Sequence, residues 1–167
     1  MKNLKAYQLR GLQFLAPCII ASMIMGCTYV PIHVPRGVDE LQNGDKMTVK
    51  TTEGETFVLS IEKTNPEEVT GYKDLELDLH VLPVSSIEEM YPVRVKERLK
   101  IHAENGDVTR MRVLNLENNN ILGIGKTKPA GSKKYGHRQN YLIPYSDIEK
   151  IERLTFTTFH SGFMVHF

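Results

Sequence analysis

The chain has 167 residues, of which 41 % are hydrophobic and 25 % are charged. Its 21 basic and 20 acidic residues give a formal net charge of +1. A near-neutral balance excludes a protein that binds polyanions over its whole surface, and the length suits one domain or two very small ones.

An apolar run from Leu12 to Cys27 follows the bases Lys2, Lys5 and Arg10, with no acid before it. A basic segment, an apolar segment and small residues are the layout of a secretory signal peptide. The run ends in Ile24-Met25-Gly26-Cys27, which resembles the lipobox of bacterial lipoprotein precursors. This resemblance covers the first 27 residues. It implies a signal peptide over residues 1–26, diacylglyceryl attachment to the Cys27 thiol and cleavage before Cys27.

The resemblance also implies an address in the cell envelope. Thr28 follows the cysteine where retention in the inner membrane often uses Asp, so the family pattern favours the outer membrane, with the protein facing the periplasm. Two or three acyl chains would hold it stably, since each buried methylene contributes about 0.8 kcal/mol. The alternative is an uncleaved anchor between Gly11 and Pro35, but Pro17, Gly26 and other residues interrupt that longer span.

Removal of residues 1–26 takes three bases and no acids, which leaves 18 basic against 20 acidic residues. The mature chain is therefore mildly acidic, and nucleic acid is not expected as a partner. Cys18 would leave with the signal peptide and Cys27 would carry lipid. The folded part then has no disulfide and no thiol nucleophile. Residues 27–36, with Pro31 and Pro35, are predicted to form a tether in which His33 is idle.

The folded part shows an internal repeat at an offset of 52 residues. Met47, Val49 and Thr51 alternate with polar residues before a turn at Glu53-Gly54, and alternation resumes from Phe57 to Ile61. The second copy runs through Leu99, Ile101 and Ala103, then the turn Asn105-Gly106, then Thr109, Met111 and Val113. Alternation across a glycine turn predicts a hairpin in each half, and Asn-Gly favours positive φ at both central positions.

Each half also closes alike, because Pro83, Ser85, Ile87 and Glu88 match Pro144, Ser146, Ile148 and Glu149. The Ser-to-Glu spacing predicts a single helical turn with a capping box. Before it, Leu75, Leu77, Leu79 and Val81 are predicted to form the buried face of a strand, with His80 on the solvent face. In the second half the segments 121–124 and 141–143 are predicted to be the corresponding strand pair.

The predicted fold is mostly β. A hairpin, a meander, one helical turn and a last strand resemble an SH3-like or Sm-type small barrel, over residues 41–90 and 97–152. The expected organisation is two tandem small antiparallel barrels, over residues 37–92 and 93–153, followed by a C-terminal strand over residues 154–167. These motifs specify a fold and not an activity.

The closing turns are offset by 61 residues instead of 52, so the second half has nine extra residues. They fall within residues 126–138, a loop with five positive charges and no acid. Its charge makes this loop a candidate site for an anion, such as an anionic lipid, a lipopolysaccharide phosphate or an acidic envelope protein. The alternative is a solvated hairpin tip. The candidate anion-binding residues are Lys126, Lys128, Lys133, Lys134 and Arg138.

Other chemistries find little support in the sequence. The segment Gly123–Thr127 is not a phosphate-binding loop, because its first glycine would fall at Asn120. His160 and His166 share a strand face, but no acid or cysteine accompanies them, so we expect no metal site. Paired carboxylates and a nucleophile with a base are not identifiable, so we expect no enzyme and no cofactor.

The tail, residues 154–167, alternates imperfectly and is predicted to cover a sheet edge or to await a partner. The sequence thus predicts a membrane-anchored envelope lipoprotein that acts as a non-enzymatic binding or assembly module on the periplasmic side. The alternative is a structural subunit of a larger membrane complex, recruited through this C-terminal strand.

Overall fold

The computed structural model describes residues 25–74, 76, 78–160 and 163–165. Strands make up most of the described residues, and the described part contains no α-helix, which confirms the mostly β prediction. The strands are β1 (Met25–Ile32), β2 (Lys46–Thr51), β3 (Thr56–Thr64), β4 (Glu68–Lys73), β5 (Leu79–Pro83), β6 (Ile87–Tyr91), β7 (Arg98–Ala103), β8 (Val108–Glu117), β9 (Asn120–Lys128), β10 (Gln139–Pro144), β11 (Ile148–His160) and β12 (Phe163–Val165). Three 3₁₀ turns lie at Val38–Glu40, Val84–Ser86 and Tyr145–Asp147.

The strands form two antiparallel sheets. One has five strands in the order β5-β4-β3-β2-β6, and the other has seven, in the order β1-β11-β7-β8-β9-β10 with β12 paired to β11. Neither sheet closes into a barrel within the described residues. The prediction of two tandem SH3-like barrels is therefore not confirmed. No helix in the described part is long and apolar enough to cross a membrane.

The contacts divide the chain into two units. The larger one, Tyr29–Arg153, contains all of β2 to β10. The smaller one consists of Met1–Thr28 and Leu154–Phe167. Within the smaller unit, β12 pairs antiparallel with the end of β11, with Phe159 opposite Met164. The predicted signal peptide up to Ile24 lies outside the described residues.

Both predicted hairpins are confirmed, and their turns have the same geometry. Gly54 donates its backbone N–H to Thr51 O at 2.9 Å, and Gly106 donates to Ala103 O at 2.9 Å. Each glycine has a positive φ, +86° and +84°. Asn105 is not among the positive-φ residues, so the expectation of positive φ at both central positions was wrong. That conformation occurs at the next turn, where Asn118 and Asn119 have φ of 51° and 56°.

The closing turns of the two halves are also equivalent. Pro83 and Pro144 precede the 3₁₀ turns with φ/ψ of −58°/135° and −59°/136°. The predicted capping boxes were wrong, since in the described chain neither turn has a side-chain cap hydrogen bond at its N-terminal residue. The reason is that proline occupies that position and leaves the serine inside the turn. The predicted Ser85 lies inside the first turn, and its neighbour Ser86 donates its hydroxyl to Pro83 O at 2.7 Å.

The strand before the first closing turn has the opposite orientation to the predicted one. Leu79 and Val81 are 52 % and 54 % exposed, whereas Leu82 packs against the core. The register with β4 explains the reversal, because Leu82 lies opposite the buried Val69 and His80 lies opposite Gly71. His80 is thus half-buried, with Nε2 at 2.7 Å from Glu76 Oε2. Leu75 and Leu77 lie outside the described residues.

Most of the predicted tether lies in a strand. Residues 27–32 belong to β1, at one edge of the seven-stranded sheet. An edge strand tolerates Pro31, which has no N–H to donate, and the β-branched Val30 and Ile32 favour extended structure. His33 is not idle, because its Nδ1 lies 2.9 Å from Asp45 Oδ2. Arg36 donates from Nη1 to Tyr145 O and Ser146 O at 2.9 and 3.0 Å.

Each half has its own hydrophobic core, and the two cores are linked. Buried side chains of the first core include Met47, Leu59 and Val69. Those of the second include Leu99 and Ile101, and also Tyr91, which belongs to β6 of the other sheet. Thr48 Oγ1 donates to Val93 O at 2.6 Å, and Asn119 N donates to Glu89 Oε1 at 3.0 Å. These contacts join the halves within the larger unit.

Candidate functional site

The outer face of β7, β8 and β9 is strongly basic. Strand alternation buries Leu99, Ile101 and Met111, and so directs the residues between them outward. In the register of the sheet, Arg98 lies opposite Arg112, Lys100 opposite Arg110, and Arg110 opposite Lys126. Like charges directly opposite one another destabilise a sheet. A face that retains three such pairings is therefore a candidate for function.

A pocket of about 530 Å³ lies over this face. Half of its ten lining residues are cationic, and among the described residues no carboxylate lines it. The remaining walls are tyrosine rings, aliphatic side chains and glycine. The lining residues are Tyr29, Arg98, Arg110, Met111, Arg112, Ile124, Gly125, Lys126, Tyr135 and Arg138. We call this the basic pocket.

Arg110 lies between two aromatic rings in the basic pocket. Its Cζ is 4.7 Å from the ring centroid of Tyr135 and 5.6 Å from that of Tyr29. Guanidinium groups are attracted to aromatic faces by about 0.5–1 kcal/mol at exposed sites. The two rings therefore restrict the position of the guanidinium without neutralising its charge.

The loop that supplies Tyr135 is fixed to the sheet by hydrogen bonds. Ala130 N donates to Asp107 Oδ1 at 2.9 Å, and Gly136 N donates to Thr127 O at 2.8 Å. Within the loop, Ser132 Oγ donates to Lys134 O at 3.0 Å. The ring of Tyr135 is therefore carried by a segment held at both ends.

The cations of the basic pocket differ from their neighbour Lys100, because none of them has a counter-ion among the residues that the structure describes. Lys100 Nζ is 2.7 Å from Glu152 Oε2, and Lys150 Nζ is 2.8 Å from Glu152 Oε1. Hydrogen bonds from these two lysines lower the pKa of Glu152 to about 2. In the described part of the chain, no carboxylate lies within ion-pair distance of the five cations that line the pocket. Their positive potential is therefore available to a ligand.

Two glycines let β9 approach β8 closely beneath the pocket. A Cβ on Gly125 would lie 2.1 Å from Arg110 O, and one on Gly123 would lie 2.6 Å from Arg112 O. The glycines of the segment Gly123–Thr127 thus serve strand packing, and the whole segment lies inside β9.

No family model, no curated protein and no solved structure matches the chain. The interpretation of the basic pocket therefore depends on the geometry and charge of its own residues.

The structure brings together only part of the predicted anion site. Lys126 and Arg138 line the basic pocket, whereas Lys128, Lys133 and Lys134 do not. Lys126 and Lys128 lie in strand β9, so the loop itself covers residues 129–138. Anion binding by the five predicted residues stays a prediction.

Sequence reasoning missed three arginines and two tyrosines of the pocket. Arg110 and Arg112 share a face of β8 because they are two residues apart, and the hairpin at Gly106 places Arg98 beside Arg112. The Arg-x-Arg spacing next to a predicted hairpin was therefore an available signal. Tyr135 lies inside the predicted loop of residues 126–138, but nothing in the sequence indicated its contact with Arg110, and Tyr29 lies far from the arginines in sequence.

The other predicted sites are only partly described. Cys27 has a free, exposed thiol in β1. The described residues contain no group of three or more His, Cys, Asp or Glu residues that could hold a metal ion. His166 and the side chain of His160 lie outside the described part.

Proposed function

We propose that this chain is a lipid-anchored protein of the cell envelope that binds an anionic partner, without catalysis, through the basic pocket. The observation that supports this function is the concentration of five cations around one pocket, with no carboxylate among its described lining residues. All five cations are exposed, and like charges directly opposite one another on a sheet repel unless an anion joins them. The outer membrane, on the periplasmic side, is the proposed address.

The lipid anchor is proposed at Cys27. Cleavage before this residue would leave Cys27–Ile32 as the strand β1, and Tyr29 of the basic pocket follows the anchor by two residues. Two residues of extended chain span about 7 Å, so the lipid would tether the pocket close to the membrane surface. Intact mass of protein from membranes, beside a Cys27→Ala form, tests the anchor: an unmodified chain that begins at Met1 would contradict it.

We further propose that each half is an opened SH3-like or Sm-type small barrel. Both halves have five strands in the same order, β6-β2-β3-β4-β5 in the first and β11-β7-β8-β9-β10 in the second. Both have a 3₁₀ turn before the last strand of the half in chain order, β6 in the first half and β11 in the second. The repeat of strand order and turn supports a common ancestral unit. Most residues of the basic pocket belong to the second copy.

Retention on polyanion beads tests anion binding. The full chain, solubilised in detergent, would be passed over beads bearing polyphosphate, heparin or polyglutamate, with uncharged dextran as control. We expect retention that falls as salt rises, because screening weakens charge attraction. A triple variant, Arg98→Gln with Arg110→Gln and Arg112→Gln, should lose at least tenfold in affinity.

A charge-matched variant distinguishes the pocket from the loop. Lys128→Gln with Lys133→Gln and Lys134→Gln removes the same three charges outside the pocket lining. We expect this variant to retain most of its affinity. An equal loss of affinity in both triple variants would show that general surface charge, and not the pocket, binds the beads. Absence of retention on every bead would overturn the proposed function.

A further inference from the structure

The arginines of the basic pocket are arranged for an anion with more than one negative charge. Arg98 and Arg112 lie directly opposite each other on β7 and β8, and Arg110 lies two residues from Arg112 on the same face. Opposed residues have Cβ atoms about 4.5–5.5 Å apart, and the next residue on the same face is about 7 Å away. Three guanidinium groups can therefore reach one ligand group.

Arg110 is the best positioned of the three. Its guanidinium is held between the rings of Tyr29 and Tyr135, at 5.6 and 4.7 Å. Among the described residues no hydrogen bond or ion pair engages the Arg110 side chain, so its N–H groups are free to donate to a ligand. A fork of two parallel N–H donors matches the oxygens of a phosphate, which a lysine ammonium contacts only as a point charge.

The rest of the pocket suits a carrier with some apolar surface. Ile124 lines it, together with the two tyrosine rings. A volume of about 530 Å³ lies in the range of small-molecule sites. This space would accommodate one sugar or one lipid headgroup, whereas a nucleic acid strand needs an extended groove that follows its backbone.

We propose that the basic pocket binds a phosphomonoester, a terminal phosphate carried on a sugar or on a lipid headgroup, with Arg110 as the bidentate contact and Arg98 and Arg112 as its flanking partners. This inference rests on the proposed function, namely that the pocket takes an anion. It adds the chemical class of that anion, and it assigns to Arg110 the preference for a phosphomonoester over other anions. The proximity of Tyr29 to the proposed anchor at Cys27 accords with a phosphate at the membrane surface.

Calorimetric titration of the full chain in detergent tests the ligand class with two matched pairs. Glucose 1-phosphate would be compared with glucuronate, a sugar of similar size that bears a carboxylate. Dihexanoyl phosphatidic acid would be compared with dihexanoyl phosphatidylglycerol, which has a phosphodiester and a single charge. We expect at least one phosphomonoester to bind tenfold or more tightly than its matched partner. The pair that shows the preference identifies the source as free sugar phosphate or lipid headgroup.

Variants then test the assigned contacts. Arg110→Lys keeps the charge but removes the planar fork, and it should abolish the tenfold preference for the phosphomonoester. Tyr135→Ala should weaken binding severalfold, whereas Tyr135→Phe keeps the ring and should bind as the unchanged protein does. Thermal unfolding of each variant establishes that it is folded before titration.

The outcomes separate this inference from the proposed function. Equal affinity for both members of each pair, with retention on polyanion beads intact, would overturn the phosphomonoester assignment alone. Tighter binding of a single-stranded oligonucleotide than of either phosphomonoester would also overturn it. An unaltered preference in Arg110→Lys would contradict the bidentate role of Arg110. Failure of every anion to bind would overturn the proposed function as well.

Discussion

The two halves of the molecule share one framework but differ in what their outer faces present. At an offset of 52 residues, the first half places Lys46, Val58, Ser60 and Asp74 where the second half has four cations of the basic pocket, Arg98, Arg110, Arg112 and Lys126. Asp74 bonds to its own sheet, because Val58 N donates to Asp74 Oδ1 at 3.1 Å. The framework thus folds with three of these four cations replaced, and most of the charge of the second half is a specific addition.

The inserted loop strengthens this contrast. β4 and β5 of the first half are joined through residues 74–78, whereas β9 and β10 are joined through residues 129–138. The longer connection supplies Tyr135 and Arg138 to the pocket. On the proposed function, the first half supports the fold, and the second half binds the anion through its added loop and charged face.

Truncation of one buried leucine in each core tests whether the two halves unfold together or independently. Leu59 and Leu99 are both fully buried. We expect Leu59→Ala and Leu99→Ala each to lower the free energy of unfolding by about 2–5 kcal/mol. Because Tyr91 of β6 packs into the core of the second half, both variants should shift a single transition.

Urea unfolding followed by circular dichroism and by tyrosine fluorescence checks this expectation. The chain has seven tyrosines and no tryptophan, so tyrosine is the fluorophore. Leu142→Ala is the control, since Leu142 is 60 % exposed and its truncation should change stability little. Two separate transitions, each shifted by only one variant, would show that the cores unfold independently.

The repeat made much of the framework predictable. Alternation and glycine turns identified the two hairpins, and the change of offset from 52 to 61 located the insertion between β9 and β10. The inward face of β5 was not predictable from alternation alone. Leucines and acids alternate over residues 75–79, but the register with β4 places Leu82 against the core and leaves Leu79 exposed.

The basic pocket was less predictable than the fold, because its residues are brought together by strand register. The loop lysines are dense in sequence, yet Lys133 and Lys134 do not line the pocket. Each pocket arginine looks like an ordinary polar residue of an amphipathic strand. Only the pairing of β7 with β8 shows that they converge.

Alanine substitution of one glycine in each half tests whether close packing of β9 on β8 positions the pocket arginines. A Cβ on Gly125 would lie 2.1 Å from Arg110 O, and a Cβ on Gly71 would lie 2.3 Å from Ser60 O. We expect each substitution to cost about 1–3 kcal/mol, because β-strand backbones would have to separate. Gly125→Ala should also weaken anion retention, since it displaces Arg110, whereas Gly71→Ala should not.

Denaturant unfolding and polyanion retention, measured on the same preparations, check both effects. Gly136→Ala is a control in the loop, because its Cβ would meet Thr127 O at an ordinary 3.5 Å. If Gly71→Ala weakened retention as much as Gly125→Ala does, the effect on binding would come from general loss of stability and not from the position of Arg110.

The smallest expected effect on the free energy of unfolding comes from Glu152. The first half lacks a carboxylate at this position, since Tyr91 occupies the equivalent place in β6. The side chain of Glu152 is 11 % exposed and faces Lys100, Lys150 and His102. Burial, with Lys100 beside it, lowers the pKa of His102, which favours its neutral form. The negative charge of Glu152 therefore acts mainly on the two lysines.

The pKa of Glu152 is lowered from 4.5 to about 2 in the folded protein. A depressed carboxyl pKa stabilises the fold above the unfolded value, and this stabilisation is lost as pH falls from about 4.5 towards 2. Glu152→Gln should therefore cost on the order of 1–2 kcal/mol near neutral pH. The difference from the unchanged protein should shrink over that acid range. Free energies of unfolding measured over this pH range check the prediction. A constant difference between the two proteins would contradict stabilisation by the ionised Glu152, and the strands alone would then position the lysines.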